Sequence, residues 1–469
     1  MDRAELVHEN FLRRVAARDF PEGPAPSIDL APTRMTGLFR AQCLSRQLDR
    51  ASRALQKAGQ GFYTIGSSGH EGMAAIADTL RPTDMAFLHY RDAAFQIARA
   101  AQVPGQTPAW DMLLSFAASS DDPISGGRHK VLGSRTLNIP PQTSTIASHL
   151  PKAVGAAYSI GLSRRCPPEQ VHLPEDAIIL CSFGDASANH STAQGAINAA
   201  CWSAWQSAPM PLLLVCEDNG IGISTPTPRG WIAASMQHRP GLKYFSADGL
   251  DLYDTYATAL AAADYVRSRR KPAFLHLRTV RLYGHAGADV PTTYLSRSEV
   301  EADEANDPLL HSVRLLDQAG ASPRAEALKI YTETCARVER IRAEAEDACE
   351  LVMLDIEEGE ACVDGRCDPN PPPECVEVDD CPAGQNCVAG ACEVDGVGAC
   401  AMPIAIEDFG RIEGDTRPSP AVHDATCGGG ATGPESVFAL SLPQAGLVCV
   451  RTLAADFDAV LHVRQGECT

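Results

Sequence analysis

Two short apolar runs, separated by an amphipathic helical segment, mark the centre of this chain. Residues 177–183 (AIILCSF) and 211–216 (PLLLVC) have the length and composition of buried strands. Small apolar residues recur at helical spacing between them: Ala193, Ala196, Ile197, Ala200 and Cys201. Because strand–helix–strand units close with a right-handed crossover, the two strands are predicted to be parallel neighbours. The pattern predicts an α/β fold with a central, mostly parallel sheet flanked by helices.

The same patterning predicts further elements on both sides of this unit. Residues 34–59 are expected to form an amphipathic helix. Its apolar positions are Leu38, Cys43, Leu44, Leu48 and Leu55. Helical patterns also cover residues 70–80, 148–162, 254–269 and 298–350, and a strand pattern covers residues 273–282. Residues 119–145 are polar, glycine-rich and irregular, which indicates a mobile active-site loop.

The composition changes near residue 355, which predicts three domains. Residues 1–355 have the pattern of one α/β domain, residues 356–402 form a small cysteine-rich segment, and residues 403–469 indicate an incomplete β-sandwich. Strand-like runs in the last segment cover residues 436–440, 446–450 and 460–463. The closely spaced cysteines of the middle segment are Cys362, Cys367, Cys375, Cys381, Cys387, Cys392 and Cys400. They favour a disulfide framework over a zinc site, because the segment has no CxxC pair and no histidine.

Bulk composition narrows the functional class. The net charge of −19 argues against nucleic acid or an anionic membrane as the main partner. No apolar run reaches transmembrane length, and residues 1–20 are charged and amphipathic, without the apolar core of a signal peptide. Residues 1–355 are therefore expected to be cytoplasmic, whereas the cysteine-rich segment argues for export.

Polar residues follow both central strands. The stretches 183–187 (FGDAS) and 217–221 (EDNGI) are predicted to bring Asp185 and Asn219 together past the carboxyl ends of the strands, where open α/β sheets bind ligands. Their oxygens and the Ile221 carbonyl suit a hard divalent cation that holds a diphosphate. The structural alternative is an aspartate that caps a helix and an asparagine in a left-handed turn.

Two further loops carry candidate basic groups. Arg91 either clamps a phosphate with two hydrogen bonds or is simply solvated, and the residues alone leave both open. His285 follows the strand pattern of residues 273–282 in a glycine-containing loop, which suits phosphate contact or acid–base chemistry, although a lone histidine is more often structural. Residues 66–72 (GSSGHEG) lack the G-x-G-x-x-G spacing and predict a tight turn, with Glu71 in the first turn of a helix.

Five ordered motifs over residues 30–350 resemble the α subunit of thiamine-diphosphate-dependent 2-oxo acid dehydrogenases. They are HYRD (89–92), STIASHLPKAVGAAYS (144–159), GDAS (184–187), EDNGIGIST (217–225) and YGHAGAD (283–289). The resemblance implies a thiamine-diphosphate-binding fold and the oxidative decarboxylation of a 2-oxo acid, in which the cofactor is the electron sink. The SxIASHxP segment favours a branched-chain substrate over pyruvate.

The resemblance also implies a role for each matching residue. The cofactor-binding positions would be Tyr90, Arg91, Ser144, Ile146, Gly184, Asp185, Ala186, Ser187, Asn219, Ile221 and His285. Mg²⁺ would be held by Asp185, Asn219 and the Ile221 carbonyl, with Arg91 and His285 against the phosphate charge. His285 is the catalytic residue expected on this chain.

Several positions depart from the family pattern, among them Asn189, His190 and Ser191, which stand where most relatives have Ser-Glu-Gly. Ala186 stands where relatives have the second glycine of a GDG motif, and its methyl group is tolerated if φ is negative. Asp218 replaces the first asparagine of an NN pair. Ala286 occupies the position of the serine that is phosphorylated in mitochondrial relatives, so kinase control is not expected there. None of these changes removes a metal ligand.

The resemblance further implies partners that this chain needs. A β subunit would supply the glutamate that activates the aminopyrimidine ring in an α2β2 assembly, and a lipoyl-bearing acyltransferase would accept the acyl group. The chain alone is therefore expected to be inactive. No β half follows residue 355, which leaves a real fusion, a gene rearrangement or a joining error as explanations. The competing hypothesis is a non-catalytic degenerate scaffold, or an exported binding protein whose functional part is the cysteine-rich tail.

Overall fold

The computed structural model describes residues 3–26, 30–61, 64–128, 131–142, 144–167 and 171–349, and six short strands beyond them. The chain divides into two compact units, Met1–Val352 and Met353–Thr469. The first unit contains every predicted site residue. Within the described residues, no helix is both long enough and apolar enough to span a membrane.

The first unit alternates helices and strands, numbered here in chain order. The helices are α1 (Arg3–Ala17), α2 (Pro32–Ala58), α3 (Met73–Asp78), α4 (Ala93–Ala100), α5 (Pro108–Phe116), α6 (Leu150–Leu162), α7 (Asp185–Ala188), α8 (Ser191–Trp205), α9 (Trp231–Met236), α10 (Leu252–Arg269), α11 (Arg297–Ala305), α12 (Pro308–Gln318) and α13 (Arg324–Cys349). The strands are β1 (Met85–Phe87), β2 (Leu132–Ser134), β3 (Ile139–Gln142), β4 (Ile179–Gly184), β5 (Leu212–Asp218), β6 (Ile221–Gly222), β7 (Thr225–Pro226), β8 (Lys243–Asp248) and β9 (Ala273–Arg278).

Five parallel strands form the central sheet in the order β1-β4-β5-β9-β8. β4 and β5 are neighbours in register, with Ile179 opposite Leu212 and Gly184 opposite Glu217. Both strands are apolar along most of their length because helices cover both faces of the sheet. The predicted α/β fold and the parallel pairing of the two central strands are confirmed.

Alternate strand residues supply two separate hydrophobic clusters. Leu180 and Leu213 belong to one cluster, which α2, α3, α4 and α10 cover. Cys181 and Leu214 belong to the other, which α6, α8 and α9 cover. All five apolar positions predicted for α2 are buried, as are the five predicted for the helix between the central strands. Each buried leucine contributes about 1.5–3 kcal/mol to folding, so these faces hold the helices against the sheet.

Several predicted bounds differ from the observed ones. The predicted strand over residues 273–282 ends at Arg278, because the next residues turn away and the backbone N–H groups of Val280 and Leu282 donate to the turn at residues 66–72. The predicted helix at residue 298 onward is three helices, α11 to α13. The region 119–145, predicted to be irregular, contains the antiparallel hairpin of β2 and β3.

The turn at residues 66–72 also corrects the prediction for Glu71. α3 begins at Met73, so Glu71 precedes the helix instead of lying in its first turn. Glu71 is fully buried, and the Arg46 guanidinium donates to its carboxylate at 2.7 Å and to Asp307 at 2.9 Å. Gly69 has a φ of 104°, and a Cβ there would overlap the Val280 carbonyl, so the turn needs glycine at this point.

The second unit is described through three strand pairs. β10 (Ala361–Val363) and β11 (Arg366–Asp368) are antiparallel, as are β12 (Gln385–Val388) and β13 (Ala391–Val394). β14 (Ile404–Ile406) pairs in parallel with β15 (Phe438–Leu440), which lies in the predicted run 436–440. The predicted runs 446–450 and 460–463 lie outside the described residues. The disulfide framework and the β-sandwich stay predictions.

Candidate functional site

The carboxyl ends of β4 and β5 bring the two central motifs together. Gly184 is the register partner of Glu217, so Asp185 and Asn219 follow adjacent strand ends. A Cβ on Gly222 would overlap the Ala186 Cβ, which shows that α7 lies in contact with β6. The predicted metal-binding residues therefore lie at one edge of the sheet.

Asp185 is a buried carboxylate at the start of α7. Its side chain accepts a hydrogen bond from the Thr227 hydroxyl, and the Thr227 backbone N–H donates to the Gly220 carbonyl at 2.8 Å. Burial raises the pKa of Asp185. In the part of the chain that the structure describes, no Lys, Arg or His forms an ion pair with it. A cation would offset this desolvation, so the carboxylate fits a metal site.

The Asn219 side chain is held at both ends of its amide. The Ile221 backbone N–H donates to Asn219 Oδ1 at 3.1 Å, and Asn219 Nδ2 lies 3.1 Å from His70 Nε2. An amide nitrogen can only donate, so His70 Nε2 accepts and its proton is on Nδ1. That proton is donated to Glu217 Oε2 at 2.5 Å. Burial lowers the pKa of His70 to about 4, consistent with this neutral imidazole.

Glu217 is a fully buried carboxylate shared by two histidines. Its Oε1 lies 3.1 Å from His89 Nδ1, while Oε2 faces His70. Burial alone would raise the pKa of Glu217, but the His89 and His70 imidazoles more than offset it and hold this pKa well below its ordinary value. The carboxylate is therefore ionised, and the two imidazoles donate to it.

Arg91 and His285 form a second cluster of polar side chains, close enough for the Arg91 charge to lower the pKa of His70. Arg91 Nη1 donates to the Gly66 carbonyl at 2.5 Å, and Nη2 donates to the His285 carbonyl at 3.1 Å and to His285 Nδ1 at 3.2 Å. Arginine only donates, so His285 Nδ1 accepts and the proton is on Nε2. Burial, followed by repulsion from Arg91 and Arg281, lowers the pKa of His285 to about 4. The positive charge here comes from Arg91 and the nearby Arg281, and it suits an anion.

The remaining predicted cofactor residues surround these groups. The Tyr90 ring lies against His89 in a tilted arrangement, with centroids 4.0 Å apart, and edge-on to His285 at 6.4 Å. Ser187 is buried in α7, beside Gly184 at the end of β4. Ser144 is half-buried and Ile146 is exposed, in the turn that leads into α6. Their contacts with a cofactor stay predictions.

Two of the departures from the family pattern have a structural explanation. Ala186 lies in a helical turn and is not among the described residues with positive φ, so the condition for tolerating its methyl group is met. Asp218 Oδ2 accepts a hydrogen bond from His276 Nε2 at 2.7 Å, and the Tyr244 hydroxyl lies 2.7 Å from His276 Nδ1. The carboxylate at position 218 therefore has its own partner.

Sequence reasoning gave no role to four residues that organise this crevice: His70, His89, Glu217 and Thr227. Glu217 offered a signal, because an acidic residue inside an apolar strand requires a buried partner. The two histidines lie about 128 and 147 positions from Glu217, and no local spacing links them to it.

Comparison with known proteins gives a consistent result. The family model described as "Dehydrogenase E1 component" matches residues 39–353. The mitochondrial 2-oxoisovalerate dehydrogenase subunit alpha of Mus musculus is 26% identical over 331 residues, which cover 68% of this chain and 70% of the relative. The 3-methyl-2-oxobutanoate dehydrogenase subunit alpha of Mycobacterium tuberculosis is 26% identical over 355 residues, which cover 70% of this chain and 88% of the relative.

Proposed function

Because the chain belongs to the dehydrogenase E1 component family, as an α-type subunit of a thiamine-diphosphate-dependent 2-oxo acid dehydrogenase, we propose that it decarboxylates a branched-chain 2-oxo acid together with a β subunit. The observation that carries the proposal is a pair of polar clusters: a buried carboxylate and an amide at the ends of β4 and β5, and the Arg91 guanidinium beside His285. A magnesium diphosphate has the matching charge pattern.

The metal side fits Mg²⁺ by its donor chemistry. Asp185 offers a buried carboxylate with no basic partner among the described residues, and Asn219 and the Ile221 carbonyl offer neutral oxygens. Oxygen ligands with one or two carboxylates are typical of Mg²⁺ bound to a phosphate group. Bound thiamine diphosphate would supply the electron sink for decarboxylation.

The phosphate side is held by the chain's own hydrogen bonds. The carbonyls of Gly66 and His285 fix the Arg91 guanidinium, which orients its remaining N–H groups. His285 carries its proton on Nε2 and can donate it in a hydrogen bond to a phosphate oxygen or to a reacting group. His285 is the residue of this chain that we assign to catalysis.

We assign the activity to residues 1–355 and place it in the cytoplasm. The division of the chain between Val352 and Met353 supports this boundary. The β subunit, in an α2β2 assembly, and a lipoyl-bearing acyltransferase that accepts the acyl group complete the proposal. The relatives support the need for a partner because they are named as alpha subunits.

Calorimetry tests the cofactor site. The full chain, with a separately expressed β subunit, is titrated with thiamine diphosphate in the presence and absence of Mg²⁺. We expect binding that requires Mg²⁺ and that Asn219→Ala abolishes. Asn306→Ala, in the turn after α11, is the matched control and should bind as the unmodified chain does. No binding by the unmodified chain would refute the proposal.

The substrate is tested separately, once binding is established. Decarboxylation of 3-methyl-2-oxobutanoate and of pyruvate is measured with the β subunit, with and without a lipoyl domain as acceptor. We expect a higher kcat/KM for 3-methyl-2-oxobutanoate. A preference for pyruvate would keep the reaction class and overturn the branched-chain assignment.

A further inference from the structure

The metal side of the crevice depends on which way the Asn219 amide faces. The two ends of an asparagine amide have nearly the same shape but opposite chemistry, because the oxygen accepts and the NH₂ group donates. Only the oxygen can bind a cation. A ligand of this kind therefore needs neighbours that distinguish its two ends.

His70 contacts the nitrogen end of this amide. Asn219 Nδ2 lies 3.1 Å from His70 Nε2, and His70 is fully buried. Its other ring nitrogen lies 2.5 Å from a carboxylate oxygen of Glu217. An ionised carboxylate can only accept, so it keeps the imidazole proton on Nδ1 and leaves Nε2 as an acceptor.

The rest of the chain fixes this arrangement. Glu217 is held from its second oxygen by His89 Nδ1 at 3.1 Å, so the carboxylate is oriented from two directions. The Ile221 backbone N–H donates to Asn219 Oδ1 at 3.1 Å. Rotating the amide by 180° would set its NH₂ group against the Ile221 N–H and its oxygen against the lone pair of His70 Nε2. Both contacts would be repulsive.

We propose that His70 is a positioning residue which, oriented by Glu217, turns the Asn219 oxygen toward the divalent cation. This inference rests on the proposed function, since it concerns the same cation. His70 makes no contact with the cation itself and acts through Asn219. Ligand orientation by a partner hydrogen bond is a general requirement of metal sites.

The experiment measures Mn²⁺ affinity by the electron paramagnetic resonance of free Mn²⁺. It uses the full chain with the β subunit and saturating thiamine diphosphate. We expect His70→Leu to raise the Kd for Mn²⁺ by about 10- to 100-fold, the range for lost partners of metal ligands. His70→Gln retains one donor and one acceptor, and we expect its Kd to stay within about threefold of the unmodified value.

An Asn219→Asp background separates positioning from a merely structural role. The two oxygens of a carboxylate are equivalent, so its orientation needs no selection. In this background His70 has no N–H of residue 219 to accept from, so we expect His70→Leu to cause no loss of Mn²⁺ affinity. His311→Leu is the matched control, because His311 is also buried but lies on α12, outside the crevice. We expect that change to leave the Mn²⁺ affinity unaltered.

A second variant keeps the test independent of folding defects. Glu217→Gln has the same shape and lets the imidazole adopt either tautomer, because a glutamine amide both donates and accepts. We expect an intermediate loss of Mn²⁺ affinity. Unchanged affinity in His70→Leu and Glu217→Gln, or an equal loss in both backgrounds, would overturn the inference. Absence of Mn²⁺ and thiamine diphosphate binding by the unmodified chain would instead refute the proposed function, and the inference with it.

Discussion

The two sides of the crevice are built in different ways. The acidic wall, defined as Asp185, Glu217 and Asn219, follows directly from the ends of β4 and β5. The basic wall, defined as Arg91 and His285, lies on two loops that are joined by hydrogen bonds. In the acidic wall, Glu217 and Asn219 both contact His70 through hydrogen bonds. In the basic wall, burial and the charge of Arg91 lower the pKa of His285. Two of the three acidic-wall residues are thus oriented by other side chains, whereas in the basic wall a guanidinium opposes the protonation of the imidazole that it contacts.

The supports of the two walls also differ. The acidic wall continues two buried strands, so the sheet itself sets its position. The basic wall depends on the turn at residues 66–72, which offers the Gly66 carbonyl to Arg91 and is tied down by the buried Arg46–Glu71 pair. Substitutions in the basic wall should therefore change ligand affinity, while those in the acidic wall should also change stability.

The largest expected effect is on the basic wall. Arg91→Ala removes a buried cation that would face the diphosphate, and we expect thiamine diphosphate affinity to fall by about 2–5 kcal/mol, or roughly 30- to 4,000-fold. The measurement is calorimetry of the chain with the β subunit. Arg91→Lys is the matched control, which keeps the charge but not the two-pronged geometry, and should lose less. Equal affinity for thiamine diphosphate in Arg91→Ala and the unmodified chain would show that the basic wall does not bind the diphosphate.

The second prediction concerns the packing beneath the acidic wall. A methyl group on residue 222 would overlap the Ala186 Cβ, so Gly222→Ala should lower the free energy of unfolding by about 1–3 kcal/mol. Chemical denaturation measures this change. The double variant Ala186→Gly and Gly222→Ala removes the overlap and should recover most of the loss. A double variant as unstable as Gly222→Ala would show that the contact is not the cause.

A smaller effect is expected at the partner of Asp218. His276→Leu removes the hydrogen bond to Asp218, and we expect it to destabilise the chain by about 1 kcal/mol. Urea denaturation of the variant checks this value. The same substitution in an Asp218→Ala background should cost less, because the partner is already absent. A loss of the same size in both backgrounds would assign the effect to packing.

The smallest expected effect is the uptake of a fraction of a proton when the diphosphate binds. His285 is neutral above about pH 4 because burial, Arg91 and Arg281 lower its pKa. A bound diphosphate adds negative charge and should raise this pKa, so at pH 5 His285 should take up part of a proton on binding. Calorimetry at pH 5 in two buffers with different ionisation enthalpies measures the uptake. His285→Gln should reduce it, and identical uptake in both proteins would place the proton elsewhere.

The sequence predicted the sheet better than the site. The apolar runs of β4 and β5 and the faces of α2 and α8 follow from periodicity, because burial on a sheet leaves a regular pattern. Asp185 and Asn219 could be placed together because parallel strands end at a common edge. The partners of Glu217 could not be found in this way, since His70 and His89 reach it only through long-range folding.

Predicted element bounds failed where one segment pairs with another far along the chain. β9 was predicted to be longer because residues 279–282 are compatible with a strand, yet their hydrogen bonds go to the turn at residues 66–72. Glu71 fitted the first turn of a helix, but its pairing with Arg46 depends on α2. These contacts are decided by tertiary packing and leave no local pattern.

The contact between Ala186 and Gly222 makes the histories of these two positions depend on each other. A methyl group fits at position 186 without strain only while position 222 has none, so a change at either position alters what the other can accept. With alanine at 186, a side chain at 222 lowers the stability of the fold, whereas glycine at 186 would remove that overlap. The alanine at position 186 therefore restricts which residues position 222 can accept.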